Sequence, residues 1–256
     1  MNYDIFLLVR LDSSRLPKKA MKEINNKPII KYLINRLTKS QKARNLVVCT
    51  TNKQSDDPLV NFLEGKNIKY FRGSERDILV RLRDATIFFK SDFVVVVDGD
   101  DIYTDPHFVD MVFDEYEKTH ADYITDDGFP HGFVPVGITR SALEKICKVK
   151  VSKNTETGYR EFFTQTNLFN CKYFKPKKDI IFPKNLRLTL DYEEDFLLAK
   201  EIYGSLGNYF HLEDIITLFE KQPNLIKIVE GVDERWKQSF GNNITDLILK
   251  STEEIK

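Results

Sequence analysis

Between residues 10 and 19 the sequence reads Arg-Leu-Asp-Ser-Ser-Arg-Leu-Pro-Lys-Lys, with two arginines, two serines and two lysines against the single acid Asp12. Guanidinium forks, ammonium groups and hydroxyls are the donors that hold a polyphosphate. A solvated basic loop is the ordinary reading of such a cluster. Here an Arg-Leu-Pro turn pins the run, and the stretch before it, Asp4–Val9, reads as a buried parallel strand. Open α/β sheets place ligands at the carboxyl ends of such strands. A shaped anion site is therefore favoured.

Acids occupy the matching positions. Asp98-Gly99-Asp100-Asp101 follows the run Val94–Val97 directly. Carboxylates there, facing a basic loop, suit a hard cation set between them and phosphates, and magnesium takes only one or two protein carboxylates. Asp191 ends another strand-like run, Leu186–Leu190. Basic residues from the first strand, Asp100 from the fourth and Asp191 from the last would then converge. Asp191-Tyr-Glu-Glu would equally serve as a helix N-terminal cap, and both readings stand at this point.

The elements needed to position these residues are legible. Pro28 suits the first position of a helix carrying Ile30, Leu33, Ile34 and Leu37. Leu46–Thr50 and Ile68–Phe71 read as further strands. Asp57-Pro58 and Asp105-Pro106 are helix starts, and Ser74–Asp77 resembles a capping box before Ile78, Leu82, Ala85 and Phe89. Strand–helix alternation with short connections implies right-handed crossovers and a mostly parallel sheet. Later the pattern loosens. Residues 122–132 read as an active-site loop, Thr139–Cys147 as a short helix, and 148–154 as polar and exposed. Asp195–Tyr203 and Leu212–Glu220 read as helices, and a weakly patterned extension after Glu230, with the lone Trp236, is expected to dock on a partner subunit or cover the site.

At 256 residues the chain is expected to form one α/β domain over 1–230, with a first half to about 110, a second to about 225, and a C-terminal extension over 231–256. Lys plus Arg and Asp plus Glu balance at 39 each, so nothing pulls the whole chain toward nucleic acid or anionic membrane, and anion binding must be local. The start lacks signal-peptide character and no apolar run approaches a membrane span. Three distant cysteines suggest neither disulfides nor a zinc cluster. A cytoplasmic, reduced, soluble protein is expected.

Four motifs in register carry a resemblance to a known family. The chain resembles the cytidylyltransferases that include the CMP-Kdo synthetases and the bacterial spore-coat polysaccharide cytidylyltransferases, and is closer to the latter. The opening A-R-x-x-S-T/S-R-L-P-G-K is matched by Arg10, Ser13, Ser14, Arg15, Leu16, Pro17 and Lys19, with Lys18 where glycine is usual. D-D-P and R-G-S-E-x-D-V-L-x-R are matched by Asp56–Pro58 and by Arg72–Glu75, Asp77–Leu79 and Arg81. The G-D turn is matched by Gly99-Asp100, and R-L-T-V-D-x-x-E-D by Arg187–Asp191 and Glu194-Asp195. The similarity covers roughly residues 3–225.

The resemblance implies a Rossmann-like nucleotide-diphospho-sugar transferase fold, with a mixed, mostly parallel sheet flanked by helices. It implies magnesium-dependent transfer of CMP from CTP to an anionic acceptor, for surface glycan synthesis, with release of pyrophosphate. Arg10, Arg15 and Lys19 would hold the triphosphate and act with Asp100 in catalysis; Ser13, Ser14 and Asp98 would bind the nucleotide. Arg72, Gly73 and Ser74 would read the pyrimidine, and Asp100 and Asp191 would coordinate Mg2+. Acceptor contacts would come from His131, Arg140, Arg160 and Glu161. The expected partners are CTP and a small anionic acceptor, with no nucleic acid or membrane, in a homodimer.

On this resemblance the first half is the nucleotide half and the second the acceptor half, and two departures fall in the latter. Phe129-Pro130-His131-Gly132 is present, but Val134–Gly137 lacks the glutamate that usually follows, which would leave a less polar or more open wall at Val136 and Gly137. The family's Arg-Glu-His becomes Arg160-Glu161-Phe162. Two rivals stand beside this reading. Asp98-Gly99-Asp100 also fits a DxD glycosyltransferase using a nucleotide sugar, and a non-catalytic nucleotide-binding protein would share the loop.

Overall fold

The computed structural model describes residues 1–178, 180–244 and 247–250; the remainder of the expected 231–256 extension lies outside the described residues. In chain order the elements are β1 (Tyr3–Leu8), β2 (Glu23–Ile24), β3 (Lys27–Pro28), α1 (Ile29–Leu37), β4 (Asn45–Thr51), α2 (Asp57–Glu64), β5 (Lys69–Gly73), α3 (Ile78–Phe89) and β6 (Phe93–Asp98). There follow α4 (Pro106–Thr119), β7 (Tyr123–Asp126), β8 (Val136–Thr139), α5 (Arg140–Val149), α6 (Glu161–Thr164), β9 (Cys171–Phe174), α7 (Glu193–Leu206), α8 (Leu212–Lys221) and α9 (Val232–Asn243).

Seven strands form one sheet in the order β5-β4-β1-β6-β8-β7-β9, and β2 and β3 form a separate small hairpin. β5, β4, β1 and β6 are mutually parallel. β8 runs antiparallel between β6 and β7, and β9 returns parallel to β7. The mixed, mostly parallel sheet of the nucleotidyltransferase Rossmann-like fold is thus present.

Strand alternation explains the layering. Along β1, Ile5 and Leu7 enter one apolar cluster and Phe6 and Leu8 the other; along β6, Phe93, Val95 and Val97 alternate in the same way with Val94 and Val96. Helices α1, α2 and α4 cover the first face through residues such as Leu33, Leu59 and Phe113. Helices α3, α5 and α6 cover the second through Leu82, Leu143 and Phe162. A third cluster joins Tyr32, Tyr103 and Phe133 to α7, α8 and the buried Val232 at the start of α9. The helix starts follow their caps: Asp77 accepts from Val80 N–H at 3.2 Å, and Asp105 from His107 N–H at 2.9 Å.

Several expectations are corrected. Residues 186–190 are extended but join the structure through one bridge, Arg187 to His131, instead of a sheet ladder. Their hydrogen bonds go to loops: Leu188 N–H donates to His131 O at 2.8 Å and Leu190 N–H to Asp100 O at 2.9 Å. The loop expected at 122–132 contains β7. Lys150, expected exposed, is buried and ion-paired with Asp77. The expected open wall at Val136 and Gly137 does not exist, because both lie inside β8 opposite Val96 and Val95. A Cβ on Gly137 would stand 2.4 Å from Phe93 and 2.6 Å from Val112. Gly137→Ala is expected to destabilise the fold by about 1–3 kcal/mol, the usual cost of overpacking. A urea midpoint equal to that of the parent would contradict this packing.

Candidate active site

The carboxyl ends of β1 and β6 meet over a cavity of about 590 Å3. Gly99 makes the meeting close: its N–H donates to Leu8 O at 2.7 Å, and any Cβ there would collide with the same oxygen. The loop after β1 is tied down by buried Asp56. Its carboxylate accepts from Leu11 N–H at 2.7 Å and from Thr50 Oγ1 at 3.0 Å, so the Asp-Asp-Pro motif anchors the basic loop. Ser13 Oγ accepts from Leu16 N–H at 3.4 Å inside the turn.

Lys19 and Asp191 are the hub. Lys19 Nζ lies 2.6 Å from Asp100 Oδ2 and 3.2 Å from Asp191 Oδ1. Arg15 donates to Asp191 Oδ1 at 2.6 Å, and buried Arg187 donates to Oδ2 at 3.1 Å. Burial opposes the Asp191 charge, but Lys19, Arg15 and Arg187 outweigh it and pull its pKa to about 2. Burial likewise opposes the Lys19 charge, and Asp100 and Asp191 hold its pKa above the ordinary lysine value. Asp191 is not the helix cap that its sequence allowed. Tyr192 holds the N-cap position, and Asp195 closes the capping box by accepting from Asp191 N–H and Tyr192 N–H at 2.9 Å each, which leaves the Asp191 carboxylate for the cations.

Asp98 and Asp101 sit beside this hub in a buried pocket. Arg160 donates to Asp98 at 2.6 Å and stands 3.7 Å from Asp101, and the Tyr159 hydroxyl is 3.3 Å from Asp98. Burial pushes Asp98 up against the pull of Arg160. Burial and the charges of Asp100 and Asp98 push Asp101 well up. This donor chemistry fits a divalent cation: Asp98, Asp100, Asp101 and Asp191 offer hard oxygens in one cavity, and an ammonium already bridges Asp100 and Asp191. Among the described residues no group of three or more His, Cys, Asp or Glu side chains is arranged as a ligand set. A magnesium ion holding one or two carboxylates requires none.

Of the residues expected from sequence, Arg10, Ser13, Ser14, Arg15, Lys19, Asp98, Asp100, Asp191, His131, Arg160 and Glu161 line this one cavity. The others do not. Arg72 spends its guanidinium on Thr51 O, Lys53 O and Asp57, bracing β5 against the start of α2. Ser74 accepts from Asp77 N–H, and Gly73 packs under Arg81 and Phe71. Arg140 pairs with Glu144 one turn along α5 at 2.7 Å. Arg72, expected to read the pyrimidine, and Arg140, expected to contact the acceptor, thus lie outside this cavity's lining, each held by local partners.

Other residues line the cavity without having been singled out. Glu156 takes Arg81 at 2.5 Å and Arg10 at 3.1 Å. Gly132 (φ +84°) lies so close to Thr189 and Asp101 that a Cβ would be 2.5 Å from Thr189 Cβ. His131 stacks against Trp236 with centroids 4.3 Å apart. Desolvation, then the charges of Arg187 and Arg160, push its imidazole down to about 4, although the residue as a whole is exposed. Trp236, Ser239 and Phe240 bring α9 into the cavity wall, the covering position expected of the C-terminal extension. Their sequence signal is a stripe at 232, 236, 239 and 240, one face of a helix. Among the described residues no helix is long and apolar enough to cross a membrane.

The family model described as cytidylyltransferase matches residues 5–227. An uncharacterised protein of Methanocaldococcus jannaschii is 29% identical, covering 88% of this chain and 93% of its own length. The spore coat polysaccharide biosynthesis protein SpsF of Bacillus subtilis is 26% identical over 88% of this chain and 97% of that protein. The 3-deoxy-manno-octulosonate cytidylyltransferase of Chlorobium phaeobacteroides is more distant, at 22% identity over 90% and 82%. Among solved structures, a cytidylyltransferase from Leptospira borgpetersenii superposes with a TM-score of 0.78 at 26% identity, covering 88% of this chain and 97% of that one.

Proposed function

Because the chain belongs to the cytidylyltransferase family, we propose that it transfers CMP from CTP to an anionic acceptor, a sugar acid or a phosphorylated or phosphonate compound, in surface-glycan synthesis. The observation that carries this is the meeting of Arg15 and Lys19 with Asp100 and Asp191 in one cavity. An acceptor oxygen attacks the α-phosphorus, a new P–O bond forms, and the bond to the β-phosphate breaks with pyrophosphate leaving. Arg10, Arg15 and Lys19 hold the phosphates, and Lys19 neutralises charge as the leaving group departs. No nucleophilic side chain is needed, since the protein positions and stabilises. Magnesium would be held by Asp100 and Asp191, and it supplies Lewis-acid neutralisation of phosphate charge.

Base reading is assigned here to Glu156 in the cavity lining, whose carboxylate is held by Arg81 and Arg10, since Arg72 is engaged by local partners. A carboxylate at Glu156 accepts from the 4-amino group of cytosine and opposes the O4 of uracil. A site built to pair with that amino edge rejects analogues lacking it. CTP is thus expected to be used in preference to UTP, with purine triphosphates weaker still. Pyrophosphate release from each triphosphate, measured with magnesium and a panel of acidic sugars, checks this. Equal turnover with ATP would overturn it. The DxD alternative, a glycosyltransferase, would release no pyrophosphate from CTP and would instead transfer from a nucleotide sugar. Magnesium dependence, cytoplasmic location and a homodimeric state belong to the same proposal, and light scattering on the purified protein checks the last.

A further inference from the structure

The family match ends at residue 227, while α9 begins at Val232 and supplies Trp236, Ser239 and Phe240 to the cavity that holds Asp100 and Asp191. This wall is built in at several points. Val232 is fully buried in the third apolar cluster. Asp233 stands 3.6 Å from Arg187, the guanidinium that also holds Asp191. Arg235 pairs with Glu194 at 2.6 Å, and Arg15 reaches Ser239 at 3.4 Å. The same helix thus touches residues on both sides of the phosphate-binding cluster.

Its cavity face is aromatic. Trp236 and Phe240 stack with centroids 5.0 Å apart and planes at 25°, and His131 packs on Trp236 from the loop opposite. The facing loops supply charged side chains: Arg10, Arg15 and Lys19 on one, and Asp98, Asp100 and Asp101 on the next. His131 and Trp236 also divide this cavity from a neighbouring one of about 430 Å3, bordered by Phe129, Phe182 and Asn185. Trp236 thus borders both cavities, and Phe240 stacks on it from the side of the phosphate-binding cluster.

We propose that Trp236 and Phe240 are specificity-determining residues for the acceptor, a platform against which the C–H face of a cyclic sugar acid packs. The inference rests on the cytidylyltransferase reading. Aromatic rings bury apolar C–H surface while leaving hydroxyls free at the rim to reach polar groups. A ring acceptor presents one such face preformed. An open-chain polyol phosphate must lose rotational freedom to lie against the same surface, and a small phosphonate has too little surface to cover it. Platform contacts thus favour the ring class without touching CTP.

The lone tryptophan makes the test direct. Intrinsic fluorescence of the full chain is titrated with a pyranose 2-keto-3-deoxy sugar acid, an open-chain polyol phosphate and an alkyl phosphonate, each with CTP and magnesium present. The sugar acid is expected to shift or quench the emission and the other two to do so at least tenfold more weakly. Pyrophosphate release is then compared for W236A, W236F and F240A. W236A and F240A are expected to raise the sugar-acid KM about tenfold or more, W236F less than about threefold, and all three to keep the CTP KM within about twofold. An unchanged emission with the sugar acid overturns the platform, and needs no variant to fold. So does an unchanged acceptor KM in W236A, or a parallel rise in the CTP KM, which would make α9 a general cover. An emission change without pyrophosphate release would leave the platform standing and overturn the cytidylyltransferase reading.

Discussion

Asp100→Asn is expected to lower turnover at saturating CTP by about a hundredfold or more with little change in melting temperature. Asp191→Asn is expected to match it in turnover but to melt lower. A catalytic magnesium contributes several kcal/mol to the transition state, and each ~1.4 kcal/mol is tenfold in rate. The two carboxylates differ in what else depends on them. Asp100 is partly exposed and loses one ion pair, to Lys19. Asp191 is buried and faces Arg15, Lys19 and Arg187 at 2.6, 3.2 and 3.1 Å, so its amide leaves the buried Arg187 and the half-buried Lys19 undercompensated. Steady-state rates across a magnesium titration, paired with thermal melts, separate these effects. Near-normal kinetics for Asp191→Asn at limiting magnesium would pass the metal role to Asp98 or Asp101.

The fold was readable where burial is two-sided. β1, β4 and β6 are continuous apolar runs because helices cover both faces of the parallel sheet, and that pattern survives without knowledge of neighbours. Helix starts at Asp77 and Asp105 were readable because a cap acts within three residues of itself. The segment 186–191 shows the limit. Leu186, Leu188 and Leu190 do alternate into the third apolar cluster, so the two-residue period is real. Periodicity reports which face is apolar; it does not report whether the backbone finds a strand or, as here, the carbonyls of His131 and Asp100.

Site residues divide along the same line. The basic loop and Asp100 could be placed from strand ends, because topology alone brings those ends together. Arg72 and Arg140 could not be excluded from sequence, since the first is held by carbonyls around residues 51–53 and the second by an exposed helical pair. Arg160 was expected to hold the acceptor's anionic group. It does line the cavity, but its Nη2 lies on Asp98, so it also offsets the buried acids that follow β6. Glu156 was missed because its partners, Arg10 and Arg81, are far away in sequence.

Lys19→Met is expected to lower kcat/KM for CTP by about a thousandfold, and to do something else that a merely structural lysine would not. In the proposed reaction Lys19 would be one preorganised donor aimed at developing charge on pyrophosphate, and removing such a donor costs about 10²–10³ in rate. Without nucleotide, however, its ammonium bridges Asp100 and Asp191, the two carboxylates assigned here to magnesium. On that proposal the lysine and a bound metal would compete for one position until phosphates gave the ammonium a new partner. Methionine keeps the length of the stem and removes the charge. In calorimetric titrations of magnesium alone, Lys19→Met should bind the ion more tightly than the parent, while with CTP present it should turn over far more slowly. Weaker magnesium binding by Lys19→Met would mean that Lys19 orders the carboxylates instead of competing for them. Unchanged kcat/KM would remove it from the chemistry altogether.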